Sequence, residues 1–301
     1  MKFSGVIPIL VTPFSEDESV DTHSIRTMIQ LMQDIGVQGI TILGVLGEAN
    51  RLSDHERELI ISSAIEAAGR LPVIVGTSAS GTRAVINNND IAKKLGASAV
   101  MVTPQAETVP SDKKVFTHFQ TILKETDLPV VLQDHPASTG VHMANELIFK
   151  MLDELRGFCG VKLEAVPTAP KLNALKTRYG EKISVMTGLG ALYGAFDLEA
   201  GSNGFNTGFA FPEVLIALTD MARKNDWDTL QEIYQRFLPL IVYEQHPGVA
   251  IRKELLKMRG AIRSSRVRSP GAQGTETIQK TLRKLIKHAV PNQDLTKPIK
   301  I

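Results

Sequence analysis

Residues 72–103 read PVIVGTSASGTRAVINNNDIAKKLGASAVMVT, and the order of patterns inside them decides the fold. The first part, PVIVGT (72–77), is a short apolar run rich in β-branched residues, as expected of a strand covered on both faces. AVINNNDIAKKLG (84–96) then reads as a helix that stops at Gly96, since glycine adopts the left-handed turn that ends helices. SAVMVT (98–103) is a second strand-like run. Strand, helix and strand within about thirty residues form the crossover unit of a parallel sheet.

The same unit recurs on both sides. Strand-like runs stand at GVIPIL (5–10), GITIL (39–43), PVVLQD (129–134), CGVKLE (159–164), ISVMTG (183–188) and NGFNTG (203–208), which makes eight with the first two. Between them, SIRTMIQLMQDIG (24–36) carries Ile25, Met28, Ile29, Met32 and Ile35 at three-and-four spacing and ends on Gly36. SDHERELIISSAIEAAG (53–69) opens with Ser53 and Glu56 at capping-box spacing. Eight such units closing on themselves predict an α/β fold, a (β/α)8 TIM barrel. The alternative, a doubly wound open sheet, lacks its Gly-rich phosphate fingerprint after the first strand, where GVIPILVTPF stands instead. The last barrel helix is expected at about 212–223. Helical patterns at 227–245, 248–262 and 276–290 each carry an apolar stripe, with a loop at 263–276. The expected organisation is therefore a barrel over 1–224 and a C-terminal helical extension over 225–301, packed on the barrel.

The bulk chemistry excludes several classes. Thirty-four Lys and Arg against 32 Asp and Glu give a net charge of +2, far from the clustered basic surface of a nucleic-acid binder. The one dense basic stretch, RGAIRSSRVR (259–268), reads as a solvated surface segment or a subunit contact. A single cysteine, Cys159, rules out an intramolecular disulfide and a Cys-based zinc site, and core packing is its expected role. The start, MKFSGVIPIL, has no signal-peptide pattern, and no apolar run approaches the ~20 residues of a membrane span. A cytoplasmic protein is expected. The seven histidines, His23, His55, His118, His135, His142, His246 and His288, show no metal-ligand spacing.

In a barrel of this kind, chemistry sits at the C-terminal ends of the strands. There the sixth run, FCGVKLEA (158–165), is unusual. Its period of two places Lys162 and Glu164 on one face, ~6.6 Å apart along the strand. Burying this pair is costly unless the two form a structural ion pair or do chemistry. Burial disfavours a charged amine, and a neutral amine can attack a carbonyl to form a Schiff base.

The chain resembles the dihydrodipicolinate synthase / N-acetylneuraminate lyase family over nearly its whole length. The matching stretches are GVIPILVTPF (5–14), GVLGEANRLS (44–53), PVIVGTSASGT (72–82), PVVLQDHPASTGV (129–141) and GVKLE (160–164). The resemblance implies a barrel with C-terminal helices, a Schiff base between Lys162 and a 2-keto acid, and a dimer or tetramer. It implies no cofactor beyond that covalent imine, no metal, and no nucleic-acid or membrane partner. Carried over by position, the substrate-binding residues are Gly44, Val45, Leu46, Gly47, His135, Gly188, Asn206 and Thr207.

Departures from the family pattern narrow the reaction. The turn that usually carries two hydroxyls reads Gly44-Val45-Leu46-Gly47-Glu48, with Glu48 expected to order it. The strand-five tyrosine is replaced by Gln133, which cannot exchange protons near neutral pH. The arginine of the lysine-pathway synthases is replaced by Ser138. Gln133-Asp134-x-Pro136, Lys162-x-Glu164 and the segment after strand eight instead resemble the 2-keto-3-deoxy-sugar-acid dehydratase branch. On this reading Lys162, Glu164 and Gln133 are catalytic. Glu164 acts as acid and base, with a pKa raised toward neutrality by its closed pocket, and Gln133, rather than Asp134, faces the substrate. His135 is a second acid/base candidate or a plain loop histidine. The function expected is thus a 2-keto-3-deoxy-sugar-acid dehydratase or aldolase; a pyruvate-condensing synthase with a rebuilt proton relay, and a non-catalytic keto-acid binder, are the competing functions.

Overall fold

The computed structural model describes residues 4–245 and 248–301, so His246 lies outside the described residues. In chain order the elements are β1 (Gly5–Val6), α1 (Thr22–Ile35), β2 (Ile40–Ile42), α2 (Asp54–Ala68), β3 (Val73–Gly76), α3 (Thr82–Lys94), β4 (Ala99–Val102) and α4 (Asp112–Glu125). Then come β5 (Val130–Asp134), α5 (Pro136–Thr139), α6 (Asn145–Glu154), β6 (Phe158–Leu163), α7 (Thr168–Tyr179), β7 (Ser184–Thr187), α8 (Gly194–Glu199), β8 (Gly204–Phe205) and α9 (Pro212–Arg223). Three further helices follow, α10 (Trp227–Tyr243), α11 (Val249–Met258) and α12 (Glu276–Ala289).

All eight strands are parallel, and β2 to β8 are bonded in chain order. β8 pairs back to β1, and the residues after β1 close the ring on β2, with Thr41 N donating to Pro8 O and Leu10 N to Thr41 O at 2.8 Å each. The expected (β/α)8 barrel with C-terminal helices is the architecture observed.

Local chemistry sets the element ends. The Asp21 carboxylate accepts from Ser24 N at the start of α1, and Gly36 at φ 86° ends it. α2 opens with the capping box anticipated at Ser53 and Glu56. Ile7, Ile9, Ile74, Ala99, Met101, Val131 and Met186 fill the barrel lumen, whereas Val161, Leu163 and Leu132 pack outward against the helices. The alternation anticipated for 158–165 breaks at one point. A register shift opposite Val130/Val131 breaks the β6 pairing, and Cys159 packs against the lumen cluster instead of the helix side.

The C-terminal helices share one apolar cluster with the barrel. Phe237 of α10, Ile251 of α11 and Leu282 of α12 pack with Val6, Phe205 and Leu215. The basic stretch 259–268 corrects the surface reading. Arg259 is fully buried, its guanidinium bound to Glu213 at 2.6 and 3.1 Å. Arg268 bonds Glu56, Arg51 O and Glu18 O, so the stretch pins the extension to the barrel's loops. An arginine supplies several donors in a fixed fork, which suits it to such multiple backbone contacts. No helix among the described residues is long and apolar enough to cross a membrane.

Candidate active site

The C-terminal mouth of the barrel holds a pocket of about 460 Å³ lined by residues from β1, β2, β5, β6, β7, β8 and α11 or the segments just beyond them. Its floor comes from β5 and β6, paired so that Gln133 stands beside Lys162. Alternation then turns Gln133, Lys162 and Glu164 inward together, each at most 6% exposed.

Glu164 is the hub. Its Oε2 lies 3.1 Å from Lys162 Nζ, accepts a hydrogen bond from Gln133 Nε2 at 2.7 Å, and sits 3.8 Å from His135 Nδ1. Its Oε1 accepts from Leu189 N at 3.1 Å. Burial pushes its carboxyl pKa up. The charge of Lys162 and the donors Gln133 and Leu189 N outweigh burial and hold the group below the usual carboxylate range. This corrects the expectation of a pKa raised toward neutrality: Glu164 is buried, but it is surrounded by donors. The resting residue is a carboxylate, so it begins as a base. Burial holds His135 below the usual imidazole value, which makes it a neutral ring, and its Nδ1 lies 2.8 Å from Ser138 Oγ.

The backbone after β7 is arranged around this carboxylate. Leu189, Gly190 and Ala191 all have positive φ, uncommon for two residues that carry Cβ atoms. The turn aims Leu189 N at Glu164 and Gly190 N at Thr207 Oγ1, 2.7 Å away. Gly188 is not among the lining residues, and it supplies room for Glu164. A Cβ there would stand 2.2 Å from Glu164 Cγ.

The other anticipated residues divide. Val45, Leu46, His135 and Thr207 line the pocket, while Gly44 and Gly47 frame the turn without lining it. Asn206 belongs elsewhere. Its Nδ2 donates to Ile7 O and Thr41 Oγ1 at 2.9 Å each, bracing β8 against β1 and β2 below the pocket. Asp134 points away from the lumen and pairs with Lys171 at 2.6 Å. Glu48 orders the turn, as anticipated, through Lys253, Arg51 and Arg268 N. Gln133 stands where a tyrosine was sought, and no tyrosine lines the pocket among the described residues.

Six pocket residues were not among the anticipated site residues: Ile9, Leu189, Gly190, Gly208, Gln245 and Arg252. Arg252 lies in α11, far along the chain, within a charged triplet Arg252-Lys253-Glu254 that reads as a solvated patch. All three are buried.

Comparison with known proteins fits this geometry. Residues 2–289 match the model of the dihydrodipicolinate synthetase family. The chain belongs to that family. It is 30% identical over 273 residues to an L-2-keto-3-deoxyarabonate dehydratase of Azospirillum brasilense, covering 88% of each chain. It is 29% identical to a 4-hydroxy-tetrahydrodipicolinate synthase of Nitrobacter hamburgensis, covering 96% of this chain and 97% of that one. Among solved structures, a dihydrodipicolinate synthase of Rhodopseudomonas palustris superposes with a TM-score of 0.90 at 31% identity, over 95% and 97% of the two chains. Family members thus include dehydratases and synthases, both lyases.

Proposed function

We propose that this protein is a Schiff-base dehydratase acting on a 2-keto-3-deoxy sugar acid, with Lys162 as the nucleophile. The observation that carries the proposal is the Gln133–Glu164–Lys162 constellation. One carboxylate oxygen lies within 3.1 Å of both the lysine amine and the glutamine amide, in the place where a proton-shuttling tyrosine would otherwise be sought.

Lys162 Nζ attacks the C2 carbonyl, and loss of water leaves an iminium that draws electrons from C3. The Glu164 carboxylate takes the C3 proton and becomes an acid. The enamine then expels the C4 hydroxyl, which receives that proton from Glu164 and leaves as water. Water then hydrolyses the product iminium, which frees Lys162 and takes up again the water released when the imine formed, so one water is lost in the net dehydration and Glu164 returns to the carboxylate. Gln133 holds Glu164 in place and has a carbonyl oxygen left for a hydroxyl or water. The imine itself is the electron sink, so the proposal requires no separate cofactor.

The 30% identity to a keto-deoxy-sugar-acid dehydratase is matched by that to synthases, so the preference for dehydration rests on Gln133 and Ser138 standing where the synthases carry tyrosine and arginine. The test is intact mass after borohydride treatment with pyruvate and with 2-keto-3-deoxypentonates. A reduced adduct mapping to Lys162, absent in Lys162→Ala, together with a product one water lighter than the pentonate, supports the proposal. Pyruvate release or consumption identifies aldol chemistry instead. No adduct with any keto acid refutes the Schiff base for these substrates.

A further inference from the structure

Apart from backbone N–H groups of the turn after β2, the site as described has no charged grip for the substrate's carboxylate. Every 2-keto acid brings one, next to the carbon that Lys162 attacks. The turn after β2 offers Val45 and Leu46, which have no side-chain donors. Asn206, the amide sought as a replacement, is spent on β1 and β2. Thr207 Oγ1 accepts from Gly190 N, which leaves its O–H as the one side-chain hydroxyl among the lining residues, a neutral donor. A carboxylate that gives up hydration among these apolar and neutral groups is poorly repaid without a charged partner.

Arg252 fills this gap. It is 6% exposed, yet it lines the pocket. Its Nε does the structural work, donating to Gly208 O at 3.0 Å and lying 3.0 Å from Glu244 Oε2. Glu244 is fully buried and is held in turn by Ala210 N at 3.2 Å. Among the described residues Nη1 and Nη2 have no hydrogen-bond partner. The guanidinium is therefore fixed at one edge and open at the other, a geometry suited to a bidentate carboxylate.

Its position suits the C1 end of the substrate. A Cβ built on Gly208 would be 2.1 Å from Leu46 Cδ1 and 3.3 Å from Arg252 Nε. The arginine therefore stands beside the very turn whose hydroxyls are missing. Gly190 and Gly208 give it access, since a Cβ on Gly190 would fall 2.8 Å from Nη2. Charge points the same way. The basic residues that line the pocket are Lys162, His135 and Arg252. Lys162 is committed to the imine and His135 is a neutral ring, so one cation remains for one carboxylate.

We infer that Arg252, supplied by the C-terminal extension, binds the C1 carboxylate of the keto acid in place of the absent turn hydroxyls. This rests on the Schiff-base reading above, and its test is built to fail separately. The probes are pyruvate, whose only anionic group is C1, and hydroxyacetone, which has the carbonyl and no carboxylate. Each is titrated against borohydride trapping in wild type, Arg252→Gln and Arg252→Lys.

Loss of even one charge-assisted hydrogen bond corresponds to about 10- to 150-fold, so Arg252→Gln should raise the half-trapping concentration of pyruvate at least about tenfold. Hydroxyacetone trapping should match wild type, and Arg252→Lys should fall between. Unchanged pyruvate trapping overturns the inference and moves Arg252 to the far end of the substrate. Equal weakening of both probes also overturns it, because the arginine would then be shaping the lysine or the fold. If Arg252→Gln does not fold, the double variant with Glu244→Gln, which removes both buried charges, takes its place. Failure of both to fold makes Arg252 structural and overturns the inference. Failure of wild type to trap pyruvate strikes the Schiff-base reading itself.

Discussion

Lys253, the neighbour of Arg252, gives the sharpest test of how the extension supports the site. Its side chain is completely buried, with Nζ 2.5 Å from Glu48 Oε1, 2.7 Å from Arg266 O and 4.3 Å from the centre of the Phe14 ring. Glu48 ends the turn that carries Val45 and Leu46, and it is itself only 1% exposed. Burial pushes the Lys253 amine down to about 8 despite Glu48, so desolvation exceeds the gain from pairing. In Lys253→Met the carboxylate of Glu48 keeps Arg51 Nη1 at 2.7 Å and Arg268 N at 3.0 Å but loses its closest cation. Removing one partner of a buried pair costs ~3–5 kcal/mol, and the two surviving donors place this case at the low end, about 3 kcal/mol. For a chain of this size that is roughly 6 °C in Tm. Lys253→Met/Glu48→Gln removes both charges and should cost clearly less than the sum of the two single changes. Urea unfolding followed by circular dichroism reads all four proteins, with the denaturant slope unchanged. A single-variant loss below about 1 kcal/mol, or simple additivity in the double variant, would refute the reasoning. In the functional assay the loosened turn should raise the pyruvate concentration for half-trapping while the adduct still maps to Lys162.

Three further outcomes follow from single contacts. Burial raises the Asp197 carboxyl to about 6, against the opposing hydrogen bonds from Thr168 and Thr187. A raised folded pKa means stability present below 3.8 is lost as pH climbs through 6, so Asp197→Asn should become the more stable protein there, by about 3 kcal/mol at neutral pH in thermal melts. Gly188→Ala drives a methyl into Glu164 Cγ, so dehydration should fall about tenfold or more while borohydride still traps pyruvate; equal turnover would clear Gly188 of any part in placing Glu164. Burial pushes the Cys159 thiol up to about 12, so iodoacetamide at pH 8 should leave it unmodified in folded protein and label it once urea unfolds the chain.

The parts of the site that were legible in the sequence are those written in a strand's period. Lys162 and Glu164 share a face because they are two apart, and Gln133 joins them because parallel register puts it beside Lys162. Cys159 breaks the rule only because a bulge shifts the phase at the strand's start, which no pattern of apolar residues reports. The charge state of Glu164 was not legible either. It depends on donors from β5, β6 and the turn after β7, and the sign of the shift reverses once those donors outweigh burial.

Arg252 and Lys253 show why the remainder stayed hidden. A charged pair on a helix normally marks the solvated face. α11 has no such face over most of its length, since every residue from Ala250 to Leu256 is buried. Successive helical residues lie about 100° apart, so two adjacent cations necessarily point in different directions. One turns toward the pocket mouth and the other toward the Glu48 turn at its rim. The helix thus meets the same turn twice, through Lys253 on Glu48 and through Arg252 beside Leu46. A shift of α11 would disturb the lock on the turn and the open guanidinium together. On this argument the extension completes the pocket as well as covering the barrel, and variants at either position should weaken keto-acid capture without removing the nucleophile.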